Sequence, residues 1–191
     1  MRKYLSCKDQ RIQSAEEKSV NYTGERRIDT YVLPSPFFFT EGDSIQDGIL
    51  LVFDDQTLID YEQHYFSLHP RARKKPIAFP YHESMNTWMI MKRPMMNALK
   101  QRWKDFIVWF VQSQGYANLH IDKCDVCFDT YYKTNRPHDV DNGCPKFIID
   151  GLCESGLLVD DNNRHMTSLT LRCHVDPDRP RTEIRLTNIK Y

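Results

Sequence analysis

The chain has 191 residues, 40% of them hydrophobic and 12% aromatic, which is enough to bury one sizeable core and leave an extension. Its 26 Lys and Arg are balanced by 26 Asp and Glu, so a global basic field is excluded and any nucleic-acid contact must come from local patches. No apolar run approaches the roughly 20 residues of a membrane span, and Met1, Arg2, Lys3 and Tyr4 lead into no signal-peptide core, so a soluble, intracellular protein with no membrane partner is expected.

Residues 1–27 are polar and charged with little apolar periodicity, and they read as a mobile arm or weak helix. In residues 31–39, Pro34 and Pro36 rule out a regular helix, and Phe37, Phe38 and Phe39 must cover the core or a partner. Residues 49–53 are expected to form a buried strand, 54–56 a turn, and 61–68 a second strand. Residues 1–60 are accordingly assigned to an N-terminal extension and 61–191 to the main domain. Next comes a basic loop fenced by Pro70 and Pro76, in which Arg71, Arg73, Lys74 and Lys75 suit contacts to a phosphate backbone. Residues 77–79 and 87–91 are strand candidates.

Pro94 opens the clearest helix, with Met96, Leu99, Trp103, Phe106 and Phe110 on one face and Asn97, Lys100, Gln101 and Lys104 on the other. Gly115 ends it. Residues 119–130 read as a strand with Cys124, Val126 and Phe128 on one side, and with Asp122, Asp125 and Asp129 toward solvent, Asp129 having a place near the site as its alternative. Cys124 and Cys127 therefore point to opposite faces, and with no second pair at zinc-ligand spacing the six cysteines read as reduced packing residues. Near the C-terminus Leu169, Leu171, Cys173 and Val175 alternate, residues 176–180 turn, and Thr182, Ile184 and Leu186 alternate again, which predicts an antiparallel hairpin. This order of elements predicts an α+β fold, a mixed or antiparallel sheet with helices mainly on one face.

The chemistry concentrates in residues 139–161. Pro145 suits the first turn of a short helix and Gly156 its C-terminal stop. The helix between them has about 11 residues and a length of roughly 16 Å. The five residues after Gly156 cover roughly the same distance when extended. A reversal at Gly156 therefore returns Asp160 and Asp161 toward the helix start, near Asp139 and Asp141. Carboxylates so crowded repel one another unless a cation sits among them. Few hard oxygen ligands suit Mg²⁺, with Mn²⁺ as a substitute. A calcium loop fits poorly, because Gly143 falls where a ligand belongs and Cys144 where the turn glycine belongs.

Asp139, Asp141, Asn142, Lys146, Asp150, Gly156, Asp160 and Asp161 together resemble the motif of the RusA family of Holliday-junction resolvases. The spacing from Lys146 onward fits. Gly143, Cys144 and Pro145 separate Asn142 from Lys146 where that family has two residues. The resemblance implies an Mg²⁺-dependent endodeoxyribonuclease that resolves four-way junctions as a homodimer, leaving a 5′-phosphate and a 3′-hydroxyl. It implies that Asp139, Asp141 and Asp161 hold metal, that Lys146 stabilises the transition state, and that Asn142, Asp150 and Asp160 support them. It also implies that Arg71, Arg73, Lys74 and Lys75 hold branched DNA in recombination and repair, in a phage or prophage setting. Two other readings stand beside it, a metal-dependent nucleotide phosphohydrolase and a DNA-binding protein with a decayed site.

Overall fold

The structure, a computed structural model, describes residues 37–41 and 44–191. The expected arm over residues 1–27, Cys7, and the part of the aromatic segment before residue 37 lie outside the described residues. Strand β1 (Phe37–Glu41) pairs antiparallel with β2 (Ser44–Asp54), which pairs antiparallel with β5 (Arg181–Lys190). On the other side of β5 lies β3 (Lys123–Tyr132), antiparallel to it, and beyond β3 runs β4 (Met166–Val175), parallel to β3. The sheet order is thus β1-β2-β5-β3-β4, a mixed sheet in an α+β fold. Helices α1 (Asp55–Leu68), α3 (Arg93–Ser113) and α4 (Lys146–Glu154) join one core cluster with the inward residues of β2, β3 and β5, and they cover one face of the sheet.

The core centres on Phe53, which meets the rings of Phe106 edge-on at 5.2 Å and of Phe110 at 5.7 Å, with Trp103 at 6.3 Å. Truncating a buried aromatic of this kind to alanine costs about 3–5 kcal/mol. Helix α4 presses closely on α3 at Gly151, where an added Cβ would stand 2.7 Å from Ile107 Cβ. That approach explains a glycine inside a short helix in spite of its poor propensity.

Several expectations are corrected. Residues 61–68 belong to helix α1, not to a strand, and the expected turn at residues 54–56 is its capping box. The Asp54 carboxylate accepts the Thr57 N–H at 3.1 Å, and the Thr57 hydroxyl oxygen accepts the Asp54 N–H at 3.4 Å. Leu58, Tyr61 and Tyr65 then recur at helical spacing against the core. Because α1 runs unbroken through residues 60 and 61, and β2 lies inside the sheet, no boundary falls there.

Residues 77–79 are irregular, and Met85–Trp88 is a single-turn helix, α2, where strands were expected. This loop serves as packing: the Pro80 carbonyl accepts the Thr182 hydroxyl at 2.7 Å, and Glu83 accepts the Trp103 indole N–H at 2.6 Å. The C-terminal strands are not a hairpin, since β3 lies between them. The link across the end of β3 is pinned by the Asp176 N–H on the Tyr132 carbonyl at 2.9 Å and by Arg181 on Asp176 at 2.6 Å. Leu169 and Val175 of edge strand β4 are 40% and 45% exposed while Leu171 packs against the core, so their alternation marks a face that is only partly buried.

Asp129, expected toward solvent, is 1% exposed. It lies on the sheet face away from the helices, where Arg185 and His174 close over it at 2.5 and 2.6 Å.

Candidate active site

Helix α4 positions the first half of the site. Its N-terminal turn carries Lys146, a cation at the end of the helix dipole that disfavours cations. Two carboxylates compensate: Lys146 Nζ lies 2.9 Å from Asp150 Oδ1, one turn along, and 2.5 Å from Asp161 Oδ2. Asp150 takes a second cation from α3, Lys100 Nζ, 2.7 Å from its Oδ2. Burial alone would raise the Asp150 carboxyl pKa, but hydrogen bonds and charge from Lys100 and Lys146 outweigh it and hold it below the usual carboxylate value. For Lys146 burial works toward neutrality, and its hydrogen bonds to Asp161 and Asp150 win, raising its pKa and keeping it charged.

Asp161 reaches Lys146 because the chain reverses at Gly156, whose φ of +72° is left-handed. The returning segment runs beside the residues entering β3. Ile121 N–H donates to Leu157 at 2.9 Å, Val159 N–H to Ile121 at 3.1 Å, and Ile121 and Leu158 form a parallel bridge. The side chain of Asp160 accepts the Asp161 N–H at 2.7 Å and the Asn162 amide, and the backbone bond above all lowers its pKa. Asp160 therefore shapes the turn that presents Asp161.

The second half is the loop after β3. His138 stacks on Tyr132 with ring centroids 3.8 Å apart and planes within 6°. Tyr132 meets Tyr81 at 5.0 Å, and Tyr81 stacks on Phe79 at 5.5 Å. The chain then makes a 3-10 turn over Asp141–Gly143, and Asn142 Nδ2 donates to Asp139 Oδ2 at 2.9 Å. Asp139 and Asp141 are exposed. Helix α2 lies against this turn, and its Trp88 ring sits 5.1 Å from that of Phe147, the neighbour of Lys146.

The structure thus brings together Lys146, Asp150 and Asp161, and separately Asp139 and Asn142. Among the described residues no three His, Cys, Asp or Glu side chains form a metal-holding group, so Asp139 and Asp141 are not gathered with Asp161. Each half has its own partners: Lys146 supplies the counter-charge to Asp161, and the Asn142 amide the donor to Asp139. The three side chains that the motif resemblance assigns to a metal, Asp139, Asp141 and Asp161, are all carboxylates, the ligand type of a hard divalent cation such as Mg²⁺.

Arg71, Arg73 and Lys74 are exposed on the loop after α1, and Lys75 pairs with Glu62 at 2.8 Å. The series of ring contacts from Phe79 to His138, edge-on between Tyr81 and Tyr132, links the end of this basic segment to the residue before Asp139. Cys124 faces the helices, where burial pushes its thiol up to about 11; Cys127 is on the opposite face beside Asp129.

Sequence reasoning missed Lys100, read as a solvent-side residue of α3. A usable signal existed: Lys100 and Lys104 are four apart, as are Asp150 and Glu154, and each lysine pairs with one of the acids. Tyr132, Tyr81 and Trp88 were missed as supports, and nothing in their spacing announces the role. No helix among the described residues is long and apolar enough to cross a membrane. The chain matches no model of a known protein family and no curated protein.

Proposed function

We propose that this chain is an Mg²⁺-dependent, structure-selective endodeoxyribonuclease that nicks four-way DNA junctions, as the motif resemblance implies. The observation that carries the reading is the contact of Lys146 with Asp161 and Asp150 at the start of α4, next to the turn bearing Asp139, Asp141 and Asn142. A helix N-terminus with a lysine in its first turn favours a phosphate. Lys146, fully charged and held by two carboxylates, supplies positive charge where the cleaved phosphate gains negative charge. Asp139, Asp141 and Asp161 would hold the metal, which when bound polarises the phosphate and lowers the pKa of the attacking water. Asn142 orients Asp139, Asp160 orients the Asp161 backbone, and Asp150, clamped by Lys100, orients Lys146.

The basic segment with Arg71, Arg73, Lys74 and Lys75 gives the chain a local phosphate-binding surface in spite of zero net charge. A four-way junction takes two symmetric nicks, so the working unit is a two-fold homodimer. The setting is intracellular recombination or repair, in a phage or prophage.

The test is incubation of the full chain with a synthetic four-way junction, linear duplex and nucleotides, each with and without Mg²⁺. Junction-selective, Mg²⁺-dependent nicking is the expected result. Nucleotide hydrolysis alone would assign a phosphohydrolase, and junction binding without any cut a non-catalytic DNA-binding protein.

A further inference from the structure

The segment after α2 has an unusual distribution of apolar surface. Trp88 and Met91 pack against the core, but Met89 and Ile90 between them are 61% and 85% exposed, and Met95 nearby is 59% exposed. The tip is anchored at both ends. Met89 N–H donates to the Met85 carbonyl at 2.9 Å, Met91 N–H to the Trp88 carbonyl at 3.3 Å, and the Trp88 ring rests on Phe147 at 5.1 Å. An apolar pair held outward on a braced turn contributes little to the core.

Its position and charge indicate what it meets. Phe147 adjoins Lys146, and α2 touches the Asp141–Gly143 turn, so the segment bearing the tip contacts elements of both halves of the candidate site. No Asp or Glu occurs between Glu83 and Asp105, whereas Lys92, Arg93, Lys100, Arg102 and Lys104 do, and of these Lys92, Arg93 and Arg102 are exposed. An apolar tip with the exposed cations Lys92 and Arg93 directly after it complements a ligand with flat apolar faces framed by phosphates, which is nucleic acid opened at a base step. Phosphate contacts position a duplex without discriminating its shape. Unstacking is least costly where stacking is already interrupted, so an apolar wedge would favour a branch point over linear duplex.

We infer that Met89 and Ile90 form a wedge that enters the stack at the branch point of the DNA and supplies the structure selectivity of the site. This inference rests on the reading of the chain as a branched-DNA nuclease. The experiment uses the full chain carrying Asp141→Asn, to prevent cutting, and junctions with 2-aminopurine either at the branch point or within an arm. Binding should raise fluorescence at the branch point and not in the arm. Adding Met89→Ser and Ile90→Ser should remove most of that rise, while affinity for linear duplex stays within roughly twofold because the cations remain.

An undiminished rise in the double variant, or no rise in a parent chain that binds the junction, overturns the wedge. Junction-selective cutting by the unsubstituted chain alongside that result leaves the nuclease reading intact. Failure of the parent chain to prefer junction over duplex overturns both. Loss of dimer mass, or of binding to anionic vesicles, in the double variant without loss of the fluorescence rise assigns the tip to a second copy or to a membrane surface and also overturns the wedge.

Discussion

His82 should make the fold sensitive to mild acid. The imidazole is 7% exposed between Trp103 and Phe147, at 5.4 and 5.0 Å, with Nδ1 bonded to the Glu83 carbonyl at 2.7 Å. Among the described residues its Nε2 has no hydrogen-bond partner. Burial lowers its pKa from 6.5 to about 4, against a smaller opposing pull from the Glu83 carbonyl. Between those values the unfolded chain binds a proton that the native state refuses, so stability falls as pH falls through the window. At about 1.4 kcal/mol per pKa unit, the loss between pH 7 and pH 5 is about 2 kcal/mol. For a chain of this size that is about 4–8 °C in Tm.

The carboxyls held low, among them Asp54, Asp150 and Asp176, lose their stabilising contribution only nearer and below the ordinary carboxylate pKa. The interval from pH 7 to 5 therefore separates His82 from those carboxyls, and the His82→Phe comparison separates it from the other histidines. Thermal unfolding at pH 7, 6 and 5, with His82→Phe as comparison, is the assay. The parent should lose about 4–8 °C and the variant less than about 2 °C. Equal losses in both would refute the assignment. Because His82 touches Phe147 beside Lys146, an acid limb in any activity profile should follow this loss of structure.

Asp139→Asn, Asp141→Asn and Asp161→Asn should each abolish cutting and weaken Mn²⁺ binding measured by electron paramagnetic resonance, while junction binding persists; full activity in Asp141→Asn would sink the assignment. Lys146→Ala should slow cleavage by about 10² to 10³ and lower Tm by a few degrees at most, since the Lys146 side chain is 47% exposed; an unchanged rate would give the role to another cation. Gly156→Ala should destabilise by about 1–3 kcal/mol in urea denaturation, since the left-handed backbone is strained and the new Cβ would lie 2.7 Å from Asn118 Oδ1; a neutral result would mean the reversal tolerates a shift. Metal analysis of protein purified under reducing conditions should find no stoichiometric zinc, and one zinc per chain lost in Cys124→Ser would contradict the packing role of the cysteines.

The fold was legible where one periodicity had one cause. The stripe of Leu99, Trp103, Phe106 and Phe110 runs the length of α3, and Pro94 and Gly115 mark its limits. Residues 61–68 misled because Tyr65 and Phe66, strand-favouring types, sit in a helix started by a cap seven residues upstream of Tyr61. Alternation in β4 and β5 was real, but it reports faces and not neighbours. Only the pairing of Asp129 with Arg172 and of Phe128 with Ile184 reveals that β3 separates them. The burial of Asp129 depended on that same arrangement, which brings Arg185 and His174 from the strands on either side.

The candidate site divides along the same line between what spacing encodes and what tertiary contacts decide. Lys146, Asp150 and Asp161 were readable together because a helix of known rise, a glycine stop and an extended return fix where Asp161 arrives, and the pairing of Leu158 with Ile121 holds that return in register. Asp139 and Asp141 have no such ruler. Their loop hangs from the Tyr132 and His138 stack on one side and rests on α2 on the other, so its position depends on side chains distant in sequence. The shared point of both halves is Trp88 against Phe147: Trp88 belongs to the helix that touches the aspartate turn, and Phe147 to the helix that carries Lys146. Trp88 therefore ties the segment that carries the exposed tip to the helix that carries Lys146.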